Sequence, residues 1–282
     1  MKTAALQMVS GTNMQRNLEE AARLLAEAAA GGAELAVLPE YFCVMGLKDT
    51  DKLLLQEPFG SGPIQDFLAH SAQRLGLWIV GGTLPVTAPD STPRTPPDRT
   101  VDAIRRIYNT SLVFDPTGQC VARYDKMHLF CFDNGLESYD ESRVLLPGNQ
   151  PVAFDLASRD GHTWRIGLSI CYDLRFPELY RALKADVLLV PSAFTFTTGQ
   201  AHWEVLLRAR AIENLAFVVA AAQGGVHENG RRTWGHSLLV APWGEVLAAH
   251  DEGPAVVMAE LHHQALGDAR TRLPALRHRV LR

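Results

Sequence analysis

Strand-like and helix-like segments alternate along this chain, and that alternation limits its fold more than any other feature. Thr3–Val9 is a short apolar run of β character. Behind Asn13, a residue suited to cap a helix, Leu18, Ala21, Ala22, Leu25, Ala28 and Ala29 recur at helical spacing until Gly31–Gly32. Leu35–Leu38 is a buried-type strand that stops at Pro39–Glu40. Pro63–Leu75 reads as a helix ended by Gly76, and Leu77–Val80 as the next strand. Ile107–Phe114 and Val121–Tyr124 pair around the turn Asp115–Gly118. A strand then runs to Cys171, a helix follows Pro177, and Val187–Val190 is again strand-like. A helix over Ala201–Asn214 precedes the strands Phe217–Ala222, His236–Ala241, Glu245–Ala249 and Val256–Leu261. Strands and helices in this order predict an α/β fold, and the hairpins among them predict mixed sheets. No solenoid-type repeat, G-x-G-x-x-G or G-x-x-x-x-G-K-S/T interrupts it.

Two stretches fall outside the pattern. Val86–Thr100, rich in Pro, Thr and Asp, is too polar to pack and predicts a surface loop within the domain. Leu129–Gly148 predicts a long loop, and long loops in compact domains are commonly functional.

Composition removes several classes of function. With 282 residues, 47% of them hydrophobic, the chain needs neither disulfide nor metal to form a core. A net charge of −4 carries no nucleic-acid footprint. The one basic cluster is the C-terminal tail, with Arg270, Arg272, Arg277, Arg279 and Arg282. The four cysteines, Cys43, Cys120, Cys131 and Cys171, form no C-x-x-C pair, and no Cys/His spacing of a zinc site is present. The N-terminus lacks the apolar core of a signal peptide, and no window approaches a membrane span. The expectation is a cytoplasmic protein with reduced thiols.

Three ionisable residues sit where strands end. Glu40 follows Ala36-Val37-Leu38-Pro39, Lys126 follows the strand Val121–Tyr124, and Cys171 follows the run to Ile170. Ligands of open α/β folds bind at strand ends, where loops converge over a rigid sheet. Together the three would supply a nucleophile, a base and a cation for a developing oxyanion. Singly, each has a plainer account: a packing thiol, a capping or ion-paired carboxylate, a surface charge. Periodicity also leaves open a Cys–His arrangement, because His128, His202 and His236 lie near apolar segments.

LAVLPEYF, YDKMHLF and IGLSICYDLRFPELYR resemble the signature segments of the nitrilase superfamily, the carbon–nitrogen hydrolases. The resemblance continues through ESRVLLPG, PSAFTFTTGQAHWEVLLRARAIENLAFVVAAAQ, GHSLLVAPWGEVLA and LPALRHRV, and so covers nearly the whole chain, residues 1–282, as one domain. It implies a four-layer α-β-β-α sandwich and a homodimer or larger homo-oligomer, with the tail from about residue 262 in the subunit contact. It implies Glu40 as general base, Lys126 and the backbone N–H of Tyr172 as oxyanion donors, and Cys171 as nucleophile, with the neighbouring ammonium lowering the thiol pKa. An accessory glutamate falls on Glu141, with Glu137 as the neighbouring alternative. Arg175 would face a substrate carboxylate, Phe194 and Thr198 would line the pocket, and His202 and Trp203 would be scaffold. No metal or organic cofactor is implied.

DKMHLF, CYDLRFPE and TTGQAHWE look most like the Nit branch of this superfamily, whose substrates are amides of α-keto dicarboxylates. AAAQGGVHENGRRTWGHS resembles the sequences that split deaminated glutathione into 2-oxoglutarate and cysteinylglycine, and His227, Arg231 and Arg232 would then meet the dipeptide carboxylate. The alternatives are ω-amidase action on 2-oxoglutaramate, another aliphatic amide or carbamoyl substrate, and nitrile hydrolysis. From another class comes a non-catalytic interaction protein on the same scaffold. Whether Cys43, close to Glu40 in sequence, reaches the site is a question for the structure.

Overall fold

The computed structural model describes residues 1–89, 105–135 and 138–281. The first part of the chain forms β1 (Lys2–Gln7), α1 (Met14–Ala30), β2 (Leu35–Val37), α2 (Pro63–Leu75), β3 (Trp78–Val80), β4 (Leu84–Val86), β5 (Ile107–Phe114) and β6 (Cys120–Asp125). A hairpin of β7 (Cys131–Asp133) and β8 (Ser138–Asp140) and the short β9 (Leu145–Leu146) follow. The second part forms β10 (Ala153–Ala157), β11 (Thr163–Leu168), α3 (Pro177–Leu183), β12 (Val187–Leu189), α4 (Phe196–Asn214) and β13 (Phe217–Ala220). The hairpin β14 (Gly224–Val226) and β15 (Arg232–Trp234), then β16 (Ser237–Val240), β17 (Val246–His250), β18 (Ala255–Glu260) and α5 (His263–Arg272) complete it.

Two mixed sheets result. One runs β18-β1-β2-β3-β5-β4, with β6 and β9 also paired to β5; the other runs β10-β11-β12-β13-β16-β17. Each has a parallel centre, β1-β2-β3 in the first and β11-β12-β13 in the second, with antiparallel strands outside it. Side chains alternate across a pleated strand, and the first sheet uses both faces. Ala5, Leu35, Val37, Val80 and Val113 join the core shared with the second sheet. Ala4, Leu6, Ala36, Ile79 and Leu112 pack instead with Leu18, Leu24 and Leu25 of α1 and Ile64 and Leu68 of α2. Helices α3 and α4 cover the second sheet, on β11, β13 and β16, so the layers are α-β-β-α. Asn13 caps α1 as expected, its side chain accepting from Arg16 N at 3.1 Å.

The two sheets are stitched together at one end. Met8, just past β1, pairs in parallel with Gln223, past β13. Gln223 donates to Ser10 Oγ (2.8 Å) and to the Glu40 carbonyl (3.1 Å), and its own carbonyl oxygen accepts from Ser10 N (3.0 Å). This is the end where β2, β11, β12 and β13 all finish.

Some elements differ from the sequence expectation. Helix α4 starts at Phe196 rather than Ala201, although Thr197, Thr198 and Gly199 are poor helix formers. Tertiary contacts override propensity here: Thr195 and Thr198 hydroxyls bond each other at 2.7 Å, and Gly199 lies against Trp234. The predicted loop Leu129–Gly148 contains the β7–β8 hairpin, one 3-10 turn at Glu141–Arg143, and β9. The tail contains α5. Residues 90–104, most of the Pro-rich stretch, and Glu137 lie outside the described residues. Among the described residues no helix is long and apolar enough to cross a membrane.

Candidate active site

Glu40 lies three residues past β2, Lys126 directly after β6, and Cys171 three residues past β11. Both sheets therefore contribute, and the loops that carry these residues are held at short range. A side chain at Gly82 would run into the Pro39 carbonyl beside Glu40, and one at Gly148 into the Asp125 carbonyl beside Lys126, so glycine permits both close approaches. Cys171 has φ 49°, and Tyr41, the residue after Glu40, φ 57°. A left-handed backbone costs a non-glycine residue roughly 1–2 kcal/mol and persists only where the surroundings fix it. Here Cys171 N donates to the Pro191 carbonyl at 2.9 Å, and Tyr41 N to Thr83 Oγ1 at 2.9 Å.

The three expected residues meet, and Glu141 joins them. Lys126 Nζ donates to Glu40 Oε1 at 2.9 Å and to Glu141 Oε2 and Oε1 at 2.8 and 3.0 Å. The side chains of Lys126 and Glu40 are each 1% exposed, so these charges are almost wholly removed from water. Such burial is tolerated only when every charge is paired and hydrogen-bonded, and the neighbours complete the set. Asn109 Nδ2 donates to Glu40 Oε1 (2.9 Å) and Ala193 N to Glu40 Oε2 (2.9 Å). Phe130 N donates to Glu141 Oε2 (2.7 Å) and Tyr41 OH to Glu141 Oε1 (2.9 Å).

The electrostatics follow from this packing. Burial alone would push Lys126 down, but Glu141 and Glu40 outweigh it and raise the ammonium above its ordinary range. Burial would raise Glu141, but Lys126 and Lys52 hold it below the usual carboxylate range. The expected lowering of Cys171 does not occur. Burial and then Glu40 drive the thiol well above its ordinary value; Lys126 acts the other way but is outweighed, and Glu141 adds to the rise. Cys171 therefore rests as a thiol, with the Glu40 carboxylate lining the same pocket.

A further buried carboxylate joins the loop of Lys126 to that of Cys171. Asp173 accepts from Tyr124 OH (2.7 Å), Ile170 N (2.9 Å), His128 N (3.0 Å) and the His128 ring at Nδ1 (2.7 Å). The His128 ring also stacks on Phe176, centroids 3.7 Å apart. None of His128, His202 and His236 lines the pocket at Cys171, so the Cys–His alternative is not formed.

That pocket, about 290 Å³ with its open mouth included, lies over Cys171, Glu40, Lys126 and Glu141. Phe194, Thr198 and Tyr172 line it as expected, and Phe130, Thr195 and Arg231 join them. Arg175 stands just outside, its guanidinium 5.5 Å from the Phe194 ring centroid and 5.8 Å from that of Tyr172, with the His202 ring at 3.3 Å. Trp203 is scaffold: it is fully buried and donates from Nε1 to the His236 carbonyl at 2.8 Å. Cys43 is sealed in the outer core of the first sheet, its thiol 3.7 Å from the Thr83 carbonyl and pushed up to about 12 by burial. His227 departs from its expected place at a substrate carboxylate: it is buried, with ring nitrogens bonded to the Ser10 carbonyl and Thr233 Oγ1, both at 2.8 Å. Sequence gave no signal for Ala193 or Tyr41; Asn109, a polar residue in the apolar run Ile107–Phe114, was a visible one.

The carbon–nitrogen hydrolase family model matches residues 2–271. The chain belongs to the carbon–nitrogen hydrolase family. Like other carbon–nitrogen hydrolases it is an amide-hydrolysing enzyme with a mixed α/β fold. It is 41% identical over 282 residues to the deaminated glutathione amidase of Synechocystis sp., covering 98% of this chain and 97% of that one. It is 36% identical over 275 residues to the chloroplastic omega-amidase of Arabidopsis thaliana, covering 95% of this chain and 69% of the relative. Its fold is similar to the crystal structure of Saccharomyces cerevisiae Nit3, a member of branch 10 of the nitrilase superfamily, with TM-score 0.82 and 28% identity over 97% of this chain and 94% of that one.

Proposed function

We propose that this carbon–nitrogen hydrolase is an amidase that hydrolyses deaminated glutathione to 2-oxoglutarate and cysteinylglycine through a Cys171 thioester. The observation that carries the chemistry is the buried cluster in which Glu40 meets both the Lys126 ammonium and the Cys171 thiol. The substrate is carried by the likeness to deaminated glutathione amidases.

Because the thiol is raised rather than lowered, attack requires a base at the moment of bond formation. Glu40 takes the Sγ–H proton as sulfur attacks the amide carbon, and the carbonyl π pair moves to oxygen. An ammonium has three N–H donors. Lys126 bonds Glu40 Oε1 and both oxygens of Glu141, and the donor released when it keeps a single Glu141 oxygen turns to the oxyanion. The second donor is the backbone N–H of Tyr172, in the first turn after Cys171, where a helix leaves its N–H groups without internal acceptors. Collapse breaks the C–N bond, the amine leaves with the proton from Glu40, and a thioester remains. Glu40 then deprotonates water, which attacks the thioester; the acid departs and the thiol regains its proton. Glu141 acts as a positioning residue that fixes the third side of Lys126. Arg175, unpaired with any carboxylate among the described residues, receives a carboxylate of the acyl part; its planar fork suits that contact. Phe194 and Thr198 shape the wall.

A homodimer in the cytoplasm completes this reading. Its support is exposed apolar side chains: Val205 and Ile212 of α4, Trp243 with Arg272 of α5 at 4.7 Å over its ring, and Val280 and Leu281.

The test is a side-by-side assay on deaminated glutathione and 2-oxoglutaramate, following 2-oxoglutarate release. A higher kcat/KM on deaminated glutathione is expected. Preference for 2-oxoglutaramate would move the chain to the ω-amidases, and activity on neither would discard the substrate.

A further inference from the structure

Next to the catalytic pocket lies a second, wider cleft of about 1290 Å³ that the mechanism does not use. Arg231 lines both spaces. Tyr41 borders the outer cleft with its ring while its hydroxyl reaches Glu141 inside. Among the described residues the cleft is strongly cationic: Lys48, Lys52, Arg231 and Arg232 line it against the carboxylate of Asp49. Arg232 is occupied, paired to Glu252 at 3.6 Å and lying over the Phe196 ring at 3.7 Å. The other cations are not. Among the described residues Lys48, Lys52 and Arg231 have no ion-pair partner. Arg231 spends one guanidinium nitrogen on the Ala193 carbonyl (3.1 Å), its Nε is buried without a hydrogen bond, and its plane lies 5.1 Å from the Tyr139 ring. Lys52 Nζ sits 4.5 Å over the Tyr41 ring and 3.5 Å from its hydroxyl. Burial, with Arg231 adding to it, holds Lys52 below its ordinary range although Glu141, Asp49 and Glu40 pull the other way.

We propose that this cleft is the leaving-group subsite, and that it takes an amine bearing a carboxylate, such as the C-terminal carboxylate of a dipeptide, between Lys48, Lys52 and Arg231. The proposal rests on the hydrolytic reading above and gives that reading its selectivity. The scissile nitrogen must lie over Cys171 in the inner pocket, and the only space shared with a cationic wall is past Arg231. Inside, Glu40 and Glu141 close on Lys126 beside Cys171, while Arg231 lines both spaces, so a substrate carboxylate is drawn to the Arg231 side, away from the two carboxylates. A primary amide, whose leaving group is ammonia, gains nothing from the cleft. An amino-acid or peptide amide does.

The experiment compares three compounds with one acyl group on the wild-type protein: deaminated glutathione, the same compound with its C-terminal carboxylate replaced by a carboxamide, and 2-oxoglutaramate. Charge-assisted hydrogen bonds of this kind predict that the carboxamide loses about 10- to 100-fold in kcat/KM, chiefly through KM. The ratio between acid and carboxamide should fall toward one in Lys48→Gln and in Arg231→Gln. Equal kcat/KM for acid and carboxamide overturns the subsite and leaves the hydrolytic reading standing. Turnover of 2-oxoglutaramate without turnover of either peptide overturns the substrate reading and the subsite together. The carboxamide comparison needs no variant, so a misfolded mutant cannot decide the outcome.

Discussion

The inner pocket and the outer cleft share a wall, yet their charges are arranged in opposite ways. Inside, two carboxylates hold one ammonium with every bond near 3 Å, and burial is nearly complete. Outside, among the described residues, cations outnumber carboxylates and Lys48, Lys52 and Arg231 have no ion-pair partner. The contrast teaches what each region is suited to do. A surplus of negative charge beside a buried thiol gives a protonated nucleophile with its base already in contact, so attack and proton transfer are coupled rather than sequential. A surplus of positive charge on half-exposed, rotatable side chains fixes nothing by itself, but it recruits an anion and orients what that anion is attached to. Geometry is over-determined where bonds change and adaptable where substrates differ.

The sharpest way to break this contrast is to remove the nucleophile. Cys171→Ala is expected to lower kcat by at least about 10⁴-fold, as loss of a covalent nucleophile does elsewhere, with thermal unfolding little changed because a single sulfur atom is removed. Residual turnover within tenfold of wild type would mean that the thiol is not the nucleophile.

Next in size is Lys126→Met. It removes an oxyanion donor, at a cost of about 10²–10³ in kcat. It also leaves Glu40 and Glu141 buried without their cation, worth about 3–5 kcal/mol of stability. Adding Glu141→Gln should restore part of the lost stability in denaturant titrations and none of the activity. Recovery of both together would show that Lys126 acts only as a structural counter-ion.

Asp173→Asn is expected to be milder. An amide keeps one acceptor oxygen where the carboxylate serves four hydrogen bonds, so a loss of about 1–3 kcal/mol is predicted. As a positioning residue, Asp173 should also lower kcat several-fold while leaving KM close to wild type. A fall in stability with kcat untouched would confine it to the scaffold.

The smallest effect lies farthest from the chemistry. Burial depresses the His227 imidazole below its ordinary 6.5. The unfolded chain therefore binds the proton first, and stability falls as pH drops from 6.5 toward the folded value and then levels off. His227→Gln should unfold at a lower temperature at pH 7.5 but lose less on acidification to pH 5. An unchanged acid slope would place its origin in another group.

Much of the architecture could be read from the sequence because it depends on local pattern. The caps at Asn13 and Gly76, the helical spacing of Leu18, Ala21 and Leu25, and the apolar runs that end at Glu40 and Cys171 are all short-range signals. The resemblance named the residues at the strand ends and Glu141. The hydrogen bonds that hold them were not legible, because they span the two sheets: Ala193 reaches Glu40 across 153 residues, and Lys126 reaches it across 86. The direction of the Cys171 shift was misjudged for the same reason. A nearby lysine is visible in sequence, but the burial and the two carboxylates that outweigh it are properties of the assembled site. His227 looked like a surface ligand in a polar segment, and only the packing of β14 and β15 against Ser10 shows it sealed inside.

The most direct test of the central claim is to trap the covalent intermediate. Wild-type protein mixed with deaminated glutathione and quenched in acid within its first turnovers is analysed as intact protein and then as peptides by mass spectrometry. The account predicts a 2-oxoglutaryl adduct on the peptide that carries Cys171, lost on further incubation and absent from Cys171→Ala. Release of 2-oxoglutarate with no adduct, even in a variant slowed at deacylation, or with the adduct on another residue, would contradict it.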